Sequence, residues 1–273
     1  MPHTHEDRSD QEIHPTAIVH PGAQIGKGVS VGPYSIIDDD VVIGAGTRIS
    51  SHARVEQYTV LGEGCSVHHG AVVGTIPQDL KFQGEITSLE VGDRTVIREF
   101  TTLNRGTSAH GKTSIGHDSL LMAYVHIAHD CIIGNHVILS NSSQLGGHVE
   151  IEDYANVSSL VAIHQFVKIG SYAMVGGGSK VSKDICPFIK VARDPLKPVA
   201  LNTIGLRRRG FAEDTIRILK HAYRILFRSN LNISQAVERI ERNAAPSVEI
   251  DMLMTFIRES GLRTRERGRG LLS

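Results

Sequence analysis

The sequence contains no tryptophan, and aromatic residues make up only 5% of its 273 residues. The core must therefore be packed from Val, Ile, Leu and Ala and not from large rings. Only three cysteines are present, Cys65, Cys131 and Cys186. They form no Cys-x-x-Cys pair and leave an odd number, so we expect no disulfide framework.

Neither sign of charge is in excess, because 29 Lys and Arg balance 29 Asp and Glu. The chain therefore lacks the global charge that attracts nucleic acid or a membrane surface. No apolar run approaches the roughly 20 residues that cross a bilayer, and the polar start over residues 1–12 shows no charged-then-apolar leader. We expect a cytoplasmic protein with a polar tail over 1–12, not an integral membrane protein and not a nucleic-acid binder.

The most regular feature is a hydrophobic period of six. An aliphatic side chain occupies every sixth position from Ile13 to Val73 and again from Ile115 to Val181. A second series, four residues after the first, carries small or β-branched side chains such as Ala17 and Ala23. Neither an α-helix nor a simple strand repeats at six. The period predicts short strands joined by corners and stacked into the triangular prism of a hexapeptide β-helix.

Two segments interrupt the period, residues 75–90 and residues 107–114, and we interpret both as loops. If the repeat continued, Asp79 and Glu85 would occupy core positions, which a packed interior does not favour for charged groups. Loops that leave a rigid scaffold often carry binding or catalytic residues.

Residues that lie three repeats apart sit above one another on successive coils. Once the loops are allowed for, three neighbouring stacks share one edge of the prism: Gly74, Asn104, Ala128, Gly146 and His164; Thr75, Arg105, His129, Gly147 and Gln165; and Ile76, Gly106, Asp130, His148 and Phe166. Both loops are expected to leave from this edge, with His126 close by.

This edge carries side chains suited to proton transfer. His129 is the natural general base at neutral pH, and Asp130 would orient its ring, although neighbouring strand residues usually point to opposite faces. Gly147, one coil above, has no side chain to keep its N–H from a developing oxyanion. We interpret the edge as a site of acyl transfer to a bound hydroxyl or amine, without an enzyme-bound intermediate.

Two other interpretations remain open from the residues alone. His129, His148 and His164 would offer neutral imidazoles to a zinc ion, as in a metal-dependent lyase or carbonic anhydrase. A solvated polar face on a non-catalytic scaffold would display the same side chains.

The repeat ends after Val181, where three prolines follow, and helical patterns appear at about 212–228, 234–243 and 247–259. We divide the chain into a β-helix over 13–190 and a helical domain over 191–273. Ser234 and Ser247 fit helix N-caps. The helical part also carries a basic stripe that would steer an acidic partner: Arg217, Lys220, Arg224 and Arg228.

Several longer motifs carry a resemblance to a known family. They are IPQDLKF, IREFTTLNRGT, LLMAYVHIAHDCIIGN, LGGHVEI, AIHQFVKIG and GLRRRGF, in this order along nearly the whole chain. Together they resemble the UDP-N-acetylglucosamine O-acyltransferase family of hexapeptide-repeat acyltransferases. The six-residue repeat alone is shared by many acyltransferases, whereas the loop and helix motifs are specific.

The resemblance implies a mainly β fold, a left-handed parallel β-helix followed by a small C-terminal α-helical domain. It implies a homotrimer with active sites between adjacent subunits, and no cofactor or metal. The implied reaction is transfer of an (R)-3-hydroxyacyl group from acyl carrier protein to the 3-position of UDP-N-acetylglucosamine, the first step of lipid A synthesis. The basic helices would receive the acidic carrier protein.

The resemblance also assigns roles to residues. His129 matches the general base, Asp130 its neighbour and Gly147 the oxyanion donor. Gly177 matches a position that sets acyl length, where a small residue favours a long chain. Positions expected to contact the substrate are Gln78, Asp79, Lys81, Asn104, His126, His148, His164 and Gln165 near the sugar, and Asn202, Arg208 and Arg209 near the uridine and phosphates.

The sequence departs from the family pattern at two of these places. Asn104 stands where the best-known members carry a histidine, and Ile204 stands where they carry a glutamate near the uracil. The alternative acceptor is therefore a 3-amino analogue of the sugar, or a later lipid A intermediate, which would give an amide in place of an ester.

Overall fold

The computed structural model describes residues 12–243, 247–267 and 270–273, and the side chains in these ranges other than those of residues 263–267. The polar tail expected over residues 1–12 therefore lies outside the described residues, apart from Glu12.

Within the described residues the chain forms 28 strands, most of them two residues long. We number them β1–β28 in chain order: Glu12–Ile13, Ile18–Val19, Gln24–Ile25, Ser30–Val31, Ile36–Ile37, Val42–Ile43, Arg48–Ile49, Arg54–Val55, Thr59–Leu61, Ser66–Val67, Val72–Thr75, Ser88–Val91, Val96–Ile97, Thr102–Asn104, Lys112–Ile115, Leu120–Leu121, His126–Ile127, Ile132–Ile133, Ile138–Leu139, Gln144–Leu145, Glu150–Ile151, Asn156–Val157, Ala162–Ile163, Lys168–Ile169, Met174–Val175, Lys180–Val181, Ile189–Ala192 and Lys197–Leu201.

Strands three apart along the chain lie side by side and pair in parallel, which produces three sheets. Sheet A has the order β1-β4-β7-β10-β13-β16-β19-β22-β25-β27-β28, sheet B the order β2-β5-β8-β11-β14-β17-β20-β23-β26, and sheet C the order β24-β21-β18-β15-β12-β9-β6-β3. The three sheets are the faces of a left-handed parallel β-helix, so the predicted fold is confirmed. The chain turns at an A–B corner, a B–C corner and a C–A corner in each coil.

The six-residue period fills the interior of the prism. Ile37, Leu121 and Leu145 from the aliphatic series are at most 1% exposed. The second series lines the same core, and Cys131 in that series is fully buried. Burial raises the pKa of the Cys131 thiol to about 12, so this cysteine is an inert core residue.

Most of the sharp corners use a residue with left-handed backbone geometry. Tyr124 at an A–B corner has a φ of 63°, and Asp130 and His148 at the B–C corners of successive coils have φ values of 60° and 59°. Non-glycine residues seldom adopt this region. Its recurrence around the prism shows that the coil geometry itself requires it.

Sheet A continues beyond the last regular coil. β27 pairs in parallel with β25, and β28 then pairs with β27 in the antiparallel direction. The strand ladder thus extends to Leu201, past residue 190, where the sequence places the domain boundary; that boundary stays a prediction.

Four helices follow in the described residues: α1 (Thr203–Arg208), α2 (Glu213–Arg228), α3 (Ile233–Asn243) and α4 (Val248–Arg267). The short α1 was not predicted. Ser247 caps α4 as expected, since its Oγ accepts the N–H of Ile250 at 3.2 Å. The prediction of Ser234 as a cap is wrong, because Asn232 accepts the N–H of Gln235 at 2.9 Å and Ser234 lies inside α3.

The helices pack on the upper end of the prism through polar contacts as well as apolar ones. Buried Asp184 accepts a hydrogen bond from Ser260 Oγ at 2.7 Å, and Lys168 pairs with Glu259 at 2.8 Å. No helix in the described part of the chain is both long enough and apolar enough to cross a membrane.

Candidate active site

Both loops leave the prism at the B–C corner, as expected. The first, residues 76–87, joins β11 to β12, and the second, residues 105–111, joins β14 to β15. One detail of the predicted stacking is wrong. Thr75 pairs with Asn104 and not with Arg105, because the register shifts between Val73 and Thr75, where Gly74 has a φ of 93°. A bulge of this kind adds a residue that the period does not contain.

His129 and Asp130 form a hydrogen-bonded pair at this corner, directly after β17. Nδ1 of His129 lies 2.8 Å from Oδ2 of Asp130. The two residues occupy a turn and not a strand, so their side chains meet although they are adjacent in sequence. A carboxylate at Nδ1 holds the ring proton there and leaves the lone pair of Nε2 available as a base.

The carboxylate of Asp130 is fully buried and held from several directions. Thr107 donates its N–H to Oδ1 at 2.9 Å and its hydroxyl to Oδ2 at 2.6 Å. Burial opposes ionisation of Asp130, but these bonds and the one from His129 bring its pKa below its ordinary value. Asp130 is thus a fixed anion behind the imidazole. The sequence placed Thr107 only in a loop, and no local pattern marks its contact with a residue of the next coil.

Gly147 lies directly above His129, because His148 of the upper coil donates its N–H to the carbonyl of His129 at 3.0 Å. A Cβ atom at Gly147 would come within 2.6 Å of Cε1 and 2.7 Å of Nε2 of His129. Only glycine therefore fits over this imidazole. Its small size also leaves its backbone N–H open to a ligand beside Nε2.

His148 completes the wall around the pair. Its Nε2 lies 3.7 Å from Oδ2 of Asp130, and its ring meets that of His129 edge-on with centroids 5.3 Å apart. Phe166 stacks on the other face of His148 at 4.5 Å. These ring contacts fix His148 beside the candidate base.

His126 lies in β17, the strand that precedes the pair, and faces an open cleft of about 270 Å³. Gln78 from the first loop lines the same cleft, with Tyr124 and Gln144. Burial, and to a smaller extent the charge of His129, lower the pKa of His126, so its ring is neutral at pH 7. The structure thus brings Gln78 and His126 together in one cleft.

Other expected substrate contacts at this corner differ in their exposure. Asp79 is half-buried in the first loop, where its carboxylate accepts the N–H of Lys81 at 3.0 Å. His164 and Gln165 are exposed on the coil above Gly147. Asn104 is only 1% exposed and donates its side-chain amide to Thr75 and Ile76 at the base of the loop. In this arrangement Asn104 faces the loop and not the cleft.

The remaining expected contacts do not lie at the B–C corner. Arg209 places its guanidinium 4.8 Å above the ring of Tyr154, which follows a sheet C strand at the C–A corner. Asn202 caps α1 and donates to the carbonyl of Tyr172 at the same corner, at 2.9 Å. Arg208 is exposed at the end of α1, and Gly177 lies at the A–B corner. A single chain therefore does not bring these residues to His129.

The three-histidine zinc site does not form within one chain. His129, Asp130 and His148 offer ligand atoms within 4.8 Å of one another, but His164 is not part of any such group among the described residues. Asp130 is already bound to Thr107 and His129. The geometry offers a histidine base with a fixed carboxylate and a nearby backbone donor, which is suited to removing a proton while an oxyanion forms.

Comparisons with known proteins identify the family of the chain. A family model described as "Udp N-acetylglucosamine O-acyltransferase; Domain 2" matches residues 184–270, and one described as "Bacterial transferase hexapeptide (six repeats)" matches residues 22–57 and 112–147. An acyl-(acyl-carrier-protein)–UDP-N-acetylglucosamine O-acyltransferase of Sulfurihydrogenibium is 56% identical over 258 residues, which are 94% of this chain and 93% of the relative. The enzyme of that name from Chlorobaculum tepidum is 53% identical over 257 residues, 94% of this chain and 97% of the relative.

Solved structures resemble the whole molecule. The UDP-N-acetylglucosamine acyltransferase of Bacteroides fragilis has a TM-score of 0.92 and 43% identity, covering 95% of this chain and 99% of that one. The enzyme from Francisella novicida has a TM-score of 0.90 and 35% identity, and the match covers 95% of this chain and 93% of that one. With these relatives matching almost its full length, the chain belongs to the UDP-N-acetylglucosamine O-acyltransferase family and is an acyltransferase.

Proposed function

We propose that this enzyme transfers an (R)-3-hydroxyacyl group from acyl carrier protein to the 3-hydroxyl of UDP-N-acetylglucosamine, the first step of lipid A synthesis. The names of its relatives supply the donor and the acceptor. The observation that carries the proposal is the His129–Asp130 pair beneath Gly147, because it places a base and a backbone donor on adjoining coils.

The chemistry follows from this pair. Nε2 of His129 takes the proton of the sugar 3-hydroxyl while the oxygen attacks the thioester carbonyl. The N–H of Gly147 stabilises the oxyanion that develops on the carbonyl oxygen. When the tetrahedral intermediate collapses, the C–S bond breaks and the imidazolium returns its proton to the leaving thiolate. Asp130 stabilises the imidazolium in between.

The active site is completed by a second copy of the chain in a homotrimer. Arg209 and Asn202 lie at the C–A corner, whereas His129 lies at the B–C corner. Residues on two different edges of a prism face one substrate only when the edges of neighbouring copies meet. A closed ring of three copies joins a B–C corner to a C–A corner at every interface. The uridine and phosphates would then contact Asn202, Arg208 and Arg209 of one copy while the sugar lies at His129 of the next.

The first loop supplies further contacts to the sugar. Gln78 and His126 line one cleft, and neutral His126 offers a hydrogen bond to the sugar without adding a positive charge near His129. Asp79 and Lys81 lie on the same loop, and His148, His164 and Gln165 continue the wall upward. The basic stripe of α2 is the docking surface for the acidic carrier protein.

The experiment is an acceptor panel with purified protein. UDP-N-acetylglucosamine and its 3-amino analogue are each incubated with 3-hydroxyacyl carrier proteins of several chain lengths, and products are identified by mass spectrometry and by their base lability. We expect an alkali-labile ester on the N-acetylglucosamine sugar. Amide formation on the amino sugar alone would replace the O-acyl function with N-acyl transfer, and no product with either sugar would overturn the proposal.

A metal analysis of the same preparation separates this function from a zinc-dependent one. Activity that survives dialysis against a chelator is the expected result. Activity that disappears with the chelator and returns with stoichiometric zinc would assign His129 and His148 to a metal and not to proton transfer.

A further inference from the structure

Four consecutive residues, Asn104–Thr107, lie buried between the first loop and the His129–Asp130 pair. Asn104 is 1% exposed, and Arg105 and Thr107 are each 8% exposed. Each of the four makes a side-chain or backbone contact that reaches beyond its own coil, and we call them the bridging segment.

The first and third residues of the bridging segment hold the two ends of the loop. Asn104 donates its side-chain amide to Oγ1 of Thr75 and to the carbonyl of Ile76, both at 3.0 Å, where the chain leaves the prism. The carbonyl of Gly106 accepts the hydroxyl of Thr87 at 2.6 Å, where the chain returns.

Arg105 holds the middle of the loop. Its guanidinium carbon lies 5.2 Å from the ring centre of Tyr58 and 5.6 Å from that of Phe82, which belongs to the loop. Within the described residues, Arg105 has no carboxylate partner. Cation–π contact therefore holds this buried guanidinium, and a flat arginine fits between two rings better than a lysine does.

Thr107, the fourth residue of the bridging segment, contacts Asp130 of the His129–Asp130 pair. Its N–H and hydroxyl bind the two oxygens of Asp130, and Oδ2 also accepts the Nδ1–H of His129. Two donors from one residue, one on each oxygen, fix the plane of the carboxylate. That plane in turn sets the direction in which Nε2 of His129 points.

We propose that the bridging segment couples the loop over residues 76–87 to the orientation of His129, with Thr107 as the positioning residue and the Arg105–Phe82 contact as its attachment to the loop. The inference rests on the proposed acyl-transfer function. Substrate contacts made by the loop would thereby be transmitted to the base through a continuous set of bonds, without a residue of the segment touching the substrate.

The first test compares Thr107→Val with Thr107→Ser in the acyl-transfer assay. Valine removes the hydroxyl donor and keeps the N–H, whereas serine keeps both. We expect valine to lower kcat by roughly tenfold to hundredfold with KM for the UDP-sugar within about twofold, since a small misplacement of a catalytic group has effects of that order. Serine should restore kcat to within about threefold.

The matched control is Thr47→Val. Thr47 is fully buried, and its hydroxyl also makes two hydrogen bonds, to the carbonyl of Gly62 at 2.8 Å and from the N–H of Cys65 at 3.0 Å. This control should lose thermal stability to a similar extent as Thr107→Val and retain kcat. A kcat of Thr107→Val equal to that of wild type would overturn the positioning role. So would a fall in kcat for Thr107→Ser or Thr47→Val as large as the fall for Thr107→Val.

The second test is a double-mutant cycle between the loop and Thr107. Phe82→Leu, Thr107→Val and the double variant are compared in kcat. If the loop acts through Thr107, Phe82→Leu will have a smaller effect in the valine background than in wild type. Strictly additive effects would overturn the coupling. Failure of this coupling can be distinguished from failure of the proposed function. In the second case the wild-type enzyme itself would show no acyl transfer.

Discussion

A Cβ atom on Gly147 would lie 2.7 Å from Nε2 of His129, on the adjoining coil of the prism. An added carbon there would overlap the imidazole. The imidazole cannot simply rotate away, because Nδ1 is held by Asp130 at 2.8 Å. The reacting face of the base and the proposed oxyanion donor therefore share a space that only glycine leaves open.

Gly147→Ala should lower kcat by about 10² to 10³-fold, because the methyl group displaces the imidazole and blocks the N–H from the oxyanion. Steady-state kinetics measure this effect. The control is Gly261→Ala in α4, where an added Cβ meets no atom within 4 Å. It should keep full activity and gain a few tenths to about 1 kcal/mol of stability. An alanine at position 147 with wild-type kcat would contradict the proposed arrangement.

Asp130 should contribute to stability on the acid side. Its pKa in the folded protein lies below the ordinary value of 3.8. The contribution is therefore complete above the unfolded-state pKa of about 4 and is lost as the pH falls below it. Asp130→Asn lacks this contribution, so its melting temperature should fall less between pH 7 and pH 3.5 than that of wild type. Calorimetry at the two pH values checks the difference, and equal falls would show that Asp130 is not a stabilised anion.

The proposed homotrimer predicts that two inactive variants complement each other when their chains are mixed. His129→Ala removes the base at the B–C corner, and Arg209→Ala removes a cation at the C–A corner. A mixed ring of either composition contains one interface in which both residues are intact, so about a third of its sites should work. Separately tagged chains allow the mixed species to be purified and assayed. Mixed trimers as inactive as the parents would place the whole site within one chain.

The acyl chain length should respond to Gly177. This residue is exposed at the A–B corner. A Cβ atom added to it would lie 3.3 Å from the carbonyl oxygen of Ser159, its nearest neighbour. Gly177→Met would fill the space along which a chain extends, so the preferred donor should become shorter by several carbons. Competition among carrier proteins of different chain length measures the preference. An unchanged preference would remove Gly177 from the length-setting surface.

The six-residue period predicted most of what positions the site. It identified which residues point inward and which edge gathers His129, Gly147 and His148, because stacked coils convert a distance along the chain into a contact. It did not predict the bulge at Gly74, which adds a residue outside the period. It also missed the hydroxyl bond from Thr107 to Asp130, which joins a loop residue to another coil and leaves no local pattern.

The sequence also did not predict where the side chain of Asn104 points at the base of the loop, because its contacts too are with residues of another coil. Asn104 occupies the expected place, but its amide donates to Thr75 and Ile76, where the chain leaves the prism. The N-cap of α3 could not be predicted for a similar reason. Asn232 and Ser234 are both favourable capping residues, and the choice between them depends on the residue at which the helix begins.

The most direct test of the account is single-turnover acyl transfer by His129→Ala, with (R)-3-hydroxyacyl carrier protein and UDP-N-acetylglucosamine. The control is His20→Ala, since His20 also lies beside a carboxylate, that of Asp39 at 3.1 Å, but on an early coil far from the site. We expect a loss on the order of 10²-fold or more for His129→Ala, full activity for His20→Ala, and an unchanged melting temperature and oligomeric state for both. Near-normal turnover in an intact His129→Ala oligomer would contradict the role of His129 as the base.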